Sequence, residues 1–211
     1  MNQTVAARKI KLADLKEQFQ LQYTEDGFTE WQEPLQPLNE TEQQALDRVK
    51  RNYLYLLEYP VMESIVKMVV LSPILDLAGF YAPPFRADGE TLVQVSAEDE
   101  GEMIQGSIDV LVLQNKLWIT VIEAKNSEFS ITKAIPQTLA YMLAAPSPPS
   151  FGMVLNGSEF LFLKVMKTAT PGDDVFYSRS NPFSLLNQGN DLYTVLQVLK
   201  QLGQLAISSP S

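Results

Sequence analysis

Three charged side chains sit where the pattern of the chain calls for apolar ones. Asp109 lies in Gly106-Ser107-Ile108-Asp109-Val110, and Glu123 and Lys125 lie in Val121-Ile122-Glu123-Ala124-Lys125. Both stretches are otherwise strand-like, and a charge beside a sheet core is costly unless it is paired or binds a metal. An Asp and a Glu brought together by a hairpin, with a Lys one pleat further on, form a site for a hard divalent cation and its water. Magnesium takes one or two carboxylates and keeps positions for water and phosphate oxygens. Manganese suits the same ligands. Such an ion is a Lewis acid toward a phosphate and lowers the pKa of a bound water. Lys125 would orient that water and offset charge building in the transition state. Its charge also lowers the cost of placing two acids together. The backbone carbonyl of Ala124 is a further candidate ligand.

Composition removes most competing chemistries. The 211 residues include no His and no Cys, which excludes Ser-His-Asp and Cys-His systems, His-ligated zinc, disulfides and thiolate centres. Any metal must be held by oxygens. The net charge is −9, which argues against a general nucleic-acid binder, since such proteins show a basic footprint. That acidity is unevenly placed: residues 1–102 hold 18 acids and 9 bases, whereas residues 103–211 hold seven of each. No apolar run reaches the roughly 18 residues of a membrane span, and the N-terminus lacks the apolar core of a signal peptide. A cytoplasmic protein is expected.

The elements that must carry the three residues follow from periodicity. Val5, Ile10, Leu12, Leu15 and Phe19 predict a helix over 5–20, followed by an irregular arm to Asn39. A helix is expected from Thr41, as N-cap, to Tyr59, and another from Val61 to Leu71, with Ser72-Pro73 interrupting it and Gly79 closing a last turn. Strands are expected over Thr91–Ser96, Gln105–Leu113 and Leu117–Ala124. The acidic run Glu98–Glu102 reads as a solvated loop, and a tight turn is expected near Asn115. A helix over Ser130–Ala145 precedes a hairpin of Phe151–Leu155 and Glu159–Val165 around Asn156-Gly157. A final helix runs from Pro182 to Leu205. Ile108, Val110 and Val112 on one face of a strand, with Leu111 and Leu113 on the other, require cover on both sides.

Pairing Leu113 with Leu117 sets Asp109 opposite Val121, with Glu123 one diagonal step away, about 7–8 Å. A two-residue turn would place the two acids on opposite faces, so the site requires an odd-length connection or a bulge.

Together these features resemble the PD-(D/E)XK nuclease superfamily. Ile108-Asp109 stands at its Pro-Asp pair, and Glu123-Ala124-Lys125 matches its Glu-X-Lys triplet. The following helix carries Gln137-Thr138-Leu139-Ala140-Tyr141, with Gln and Tyr four apart on one face. This is similar to the Gln-X-X-X-Tyr motif of the RecB-like branch, whose members cut DNA. The resemblance runs roughly from residue 55 to 165. It implies an α/β, restriction endonuclease-like domain over 41–211, preceded by an N-terminal helix and arm over 1–40. The expected core is a mixed sheet of about five strands, flanked by helices on both faces, in the order αβββαββ.

The implied site comprises Asp109, Glu123, Lys125 and Gln137 as catalytic residues. Asp109, Glu123, Ala124 and Glu63 would hold Mg2+ or Mn2+. Glu63 is either that ligand or an acid favoured by the dipole of a first helical turn, with Glu58 as the substitute candidate. Tyr141 and Lys133 would contact nucleic acid. Lys116, Lys133, Lys164, Lys167 and Arg179 either line a phosphate track or are scattered surface charges. Trp31 and Trp118 either stack on bases or pack in the core. The implied activity is Mg2+-dependent hydrolysis of phosphodiester bonds, of DNA, in restriction, defence or repair. The expected partners are DNA and a second copy or a defence complex, with no membrane. The alternative is a nuclease-fold binding or scaffold protein without activity, which the acidity favours. A hydrolase of smaller phosphates is a third class, and no Gly-rich phosphate cradle supports it.

Overall fold

In the computed structural model, which describes residues 4–96, 103–114, 117–167 and 174–208, the apolar strands form one mixed sheet. The chain opens with β1 (Thr4–Ala6), a 3-10 turn (Ala7–Lys9), α1 (Leu12–Phe19) and β2 (Leu21–Tyr23). Helix α2 (Glu40–Leu56) follows, then α3 (Glu63–Val66), a π-helical turn (Lys67–Leu71) and α4 (Ser72–Leu77). Three long strands come next: β3 (Phe85–Val95), β4 (Met103–Gln114) and β5 (Leu117–Ala124). A 3-10 turn (Ile131–Lys133) leads into α5 (Ile135–Leu143), β6 (Ser150–Leu155) and β7 (Glu159–Lys167). The last elements are β8 (Val175–Arg179), β9 (Phe183–Ser184) and α6 (Leu192–Ser208).

The sheet runs β1-β4-β5-β6-β7-β8-β2, with β3 on the other side of β4 and β9 on β7. Strands β5 and β6 are parallel, and α5 is their crossover. Residues α3 through β7 reproduce the expected αβββαββ order. Nine strands stand where about five were expected. The additional β1, β2, β8 and β9 are two to five residues long, too short for alternation to register in a sequence.

Helices cover both faces. One core joins α2, α3, the π turn, α4 and α6 to Val112, Ile122 and Ala124. The other joins α1 and α5 to Leu111, Leu113 and Val121.

Several boundaries differ from expectation. Residues 5–20 are not one helix, because Val5 pairs with Ile104 in parallel β1–β4 and tertiary pairing overrides the local period. Both β1 and β2 come from the first forty residues and join the sheet. The N-cap of α2 is Asn39, not Thr41: its Oδ1 accepts from the Glu42 amide while its own backbone amide donates to the Glu42 carboxylate. Ser72-Pro73 does not interrupt the helix. Backbone from α3 to α4 stays right-handed through the π turn, and Pro73 falls in the first turn of α4. Helix α6 begins at Leu192 rather than Pro182, since Phe183 pairs with Phe160 and Asp191 caps the Ser184 amide. The Glu98–Glu102 loop and the Asn115 turn lie outside the described residues.

The β4–β5 register settles the face of the acids. Leu113 pairs with Trp118 and Val112 with Thr120, so a bulge falls between them, as the site required. Beyond it Leu111 faces Val121 and Val110 faces Ile122. Continuing that register puts Asp109 directly opposite Glu123, not opposite Val121 with Glu123 diagonal. Directly opposed residues of an antiparallel pair share a face.

Candidate functional site

The three residues meet at the C-terminal end of β5, the end from which the parallel β5-α5-β6 crossover departs. Pairing continues one step past the strand, with the Lys125 amide donating to the Leu155 carbonyl at 2.8 Å. This fixes the backbone from which Glu123 and Lys125 project.

Asp109 sits where two strands part. On one edge of β4, β5 pairs with Val110–Gln114 and β1 with Met103–Gln105. Between them the Asp109 carboxylate takes over the role of a backbone acceptor: the Ala124 amide donates to Oδ2 at 2.8 Å. That bond orients the side chain and needs no partner from outside the sheet.

Glu123 is 1% exposed. Its Oε1 accepts from Lys125 Nζ and, at 2.6 Å, from Gln137 Nε2. Gln137 Nε2 also donates to the Tyr141 hydroxyl at 3.0 Å, so the pair four apart on α5 acts as one strut. Tyr141 fits because residue 106 is glycine. A Cβ there would stand 2.3 Å from the Tyr141 hydroxyl and 2.8 Å from the Ala7 Cβ. Lys125 also lies over the Phe129 ring, 5.9 Å from its centre. The structure thus brings together Asp109, Glu123, Lys125, Gln137 and Tyr141.

From the helical layer that covers the other face, Lys67 extends its Nζ to 2.7 Å from Asp109 Oδ1 and 2.9 Å from Glu63 Oε1. Glu63 therefore reaches the site through Lys67. The substitute Glu58 is exposed, as is Lys133, on the turn before α5. Lys164 is paired to Glu30 at 2.6 Å and is spoken for. Lys116 lies outside the described residues. Trp118 packs against the α1–α5 core, and Trp31 packs edge-on against Phe183. Sequence reasoning missed Lys67, whose signal was its place four residues after Glu63.

A hard cation needs oxygen donors, and Glu63, Asp109 and Glu123 supply them. The buried Oε2 of Glu123 has no hydrogen-bond partner, as an acceptor kept for a ligand would. As the side chains stand, no three acids among the described residues converge to hold an ion. The Lys67 ammonium stands between Glu63 and Asp109. The donor chemistry fits Mg2+ or Mn2+ once Asp109 is released from that ammonium.

Burial, and next the charge of Asp109, push the Glu123 carboxyl up to about 7 from a usual 4.5, with Lys125 opposing only in part. Between those values the folded chain binds more protons than the unfolded one, so stability falls as pH rises. In a chelator, wild type is expected to lose more melting temperature from about pH 5 to about pH 7.5 than Glu123→Gln, which has no proton to release. Parallel pH profiles for the two proteins would contradict the raised value.

No described helix is long and apolar enough to cross a membrane. No match to the chain is found among curated proteins. Residues 90–170, less than half of the chain, match the family model of the type I restriction enzyme R protein N terminus (HSDR_N). That stretch holds Asp109, Glu123, Lys125, Gln137 and Tyr141 but neither Glu63 nor Lys67, so the part of the chain that is similar to restriction-enzyme R proteins is the part that carries the site.

Proposed function

We propose that this protein is a Mg2+- or Mn2+-dependent nuclease of the PD-(D/E)XK type, RecB-like branch, hydrolysing phosphodiester bonds of DNA in restriction, defence or repair. One observation carries the reading. Glu123, Lys125 and Gln137 are joined by direct hydrogen bonds, and Asp109 binds the backbone of Ala124 between the first two. The restriction-enzyme match over the same residues supports it. Fold alone would not, since function rests on the site.

Asp109, Glu123 and the Ala124 carbonyl would hold the ion, with Glu63 as an outer contributor. When bound, the ion supplies Lewis acidity toward the scissile phosphate. Lys125 positions the attacking water and meets the negative charge that grows on the phosphoryl oxygens. The oxygen–phosphorus bond to water forms as the bond to the leaving oxygen breaks; the attacking water gives up a proton to solvent and the leaving oxygen takes one from solvent, so the net change is addition of water across the bond. Gln137 holds Glu123 in place, and Tyr141, buried at 2% exposure beneath Gly106, braces Gln137 from within the core rather than contacting nucleic acid as the resemblance implied. Exposed Lys133 would meet a flanking phosphate. A basic partner in a defence complex would supply the footprint that a chain of net charge −9 lacks; a second copy, equally acidic, would not. A cytoplasmic setting goes with that role.

With millimolar Mg2+, the purified protein is expected to cut circular and linear DNA, the comparison separating internal from terminal cleavage. Failure to cut any DNA or RNA would favour the inactive scaffold, the reading to which the acidity points.

A further inference from the structure

We propose that Lys67 is a resident cation of the candidate metal site: its ammonium holds Asp109 while no ion is bound and must let go before a divalent ion binds there. The inference rests on the metal reading above. Lys67 Nζ is 2.7 Å from Asp109 Oδ1 and 2.9 Å from Glu63 Oε1, between two of the acids that would serve the ion. Two cations cannot share that position. The other oxygen of Asp109 is held by the Ala124 amide at 2.8 Å, so Oδ1 is the oxygen free to exchange partners. Exchange leaves the orientation of the carboxylate intact.

The geometry favours a reversible occupant over a fixed strut. The Lys67 side chain is 28% exposed, far more than Glu123 at 2%, so its flexible stem has a path toward solvent. Glu63, at 40%, can keep the ammonium after Asp109 lets go. Lys67 opens the π-helical turn, a kind of helical irregularity common at functional sites. Lys125 differs: it is bound to Glu123 and packed on Phe129. Of the two lysines, Lys67 alone contacts Asp109 among the described residues. The unpartnered Oε2 of Glu123 remains an acceptor that neither lysine satisfies.

Calorimetric titration of Mn2+ without nucleic acid tests the exchange in wild type, Lys67→Met and Lys67→Arg. Lys67→Met is expected to bind Mn2+ about threefold to fivefold more tightly, because no internal cation competes. Its metal-free melting temperature should fall, since Glu63 and Asp109 lose their counter-charge. Lys67→Arg keeps a cation on both acids and should stay within about twofold of wild type. Should Lys67→Met fail to fold, Lys67→Gln, neutral but able to donate to Asp109, replaces it. Wild-type or weaker affinity in the neutral variant overturns the role of Lys67 while leaving the metal site standing. Absence of Mn2+ binding in both wild type and the neutral variant overturns both.

Discussion

Lys125→Met is expected to slow DNA cleavage about 10²–10³-fold, the loss seen when one preorganised electrostatic group is removed from a transition state. Binding of the same DNA should change little. Lys125 is placed from two sides, by Glu123 Oε1 and by the face of Phe129, and is 17% exposed. Methionine keeps the unbranched stem and its contact with the ring but removes the charge. Folding should therefore survive. The lost ammonium also removes one of the influences that lower the Glu123 carboxyl, so the variant should need more metal as well as turning over more slowly. Affinity for DNA is spread over many phosphates, and one contact is a small part of it. Lys125→Ala removes the stem too, and the difference between the two variants measures packing. Cleavage and binding of one labelled duplex at fixed salt and saturating Mg2+ give both quantities. Equal cleavage by wild type and Lys125→Met would remove Lys125 from the chemistry.

The residues of this site were legible because they break a pattern. Asp109 and Glu123 interrupt two strands that are otherwise apolar on both faces, and a buried charge needs a reason. Gln137 and Tyr141 were legible from their spacing of four on a helix. The strut they form with Glu123 is what that spacing permits. What could not be read depends on tertiary context. The bulge between Val112 and Leu113 leaves no mark in the residue types, yet it decides that Asp109 faces Glu123. Ser72-Pro73 looks like a helix break, whereas the π turn before it carries the helix onward. Gly106 matters through side chains far along the chain, the Tyr141 ring 35 positions later and Ala7 near the start.

Lys67 shows the limit most clearly. Read locally, Glu63 and Lys67 are an i,i+4 pair of a kind worth a few tenths of a kcal/mol on a helix surface. Only the packing of α3 against the sheet turns that pair toward Asp109. Lys164 shows the same limit: Glu30, 134 residues away, pairs with it, and no local pattern marks that partner.

Raising Mn2+ is expected to raise the melting temperature of wild type and to leave that of Asp109→Asn/Glu123→Gln unmoved. An ion that binds only the folded chain stabilises it by about 2.7 kcal/mol at one hundred times its dissociation constant. For a domain of this size each kcal/mol is worth about 2–4 °C, so the shift should reach about 5–10 °C. The two substitutions keep shape and an acceptor oxygen at each position. Asparagine can still accept from the Ala124 amide, and glutamine can still accept from Lys125 and Gln137, so the metal-free fold should persist. What disappears is the pair of negative charges, without which Mg2+ or Mn2+ is not drawn from water. Equal shifts in wild type and variant would place the ion elsewhere on this acidic chain. No shift in either would leave Glu63, Asp109 and Glu123 as a structural ion cluster around Lys67 and Lys125. The measurement needs no DNA, so it separates loss of the ion from loss of the substrate, which a cleavage assay alone would merge.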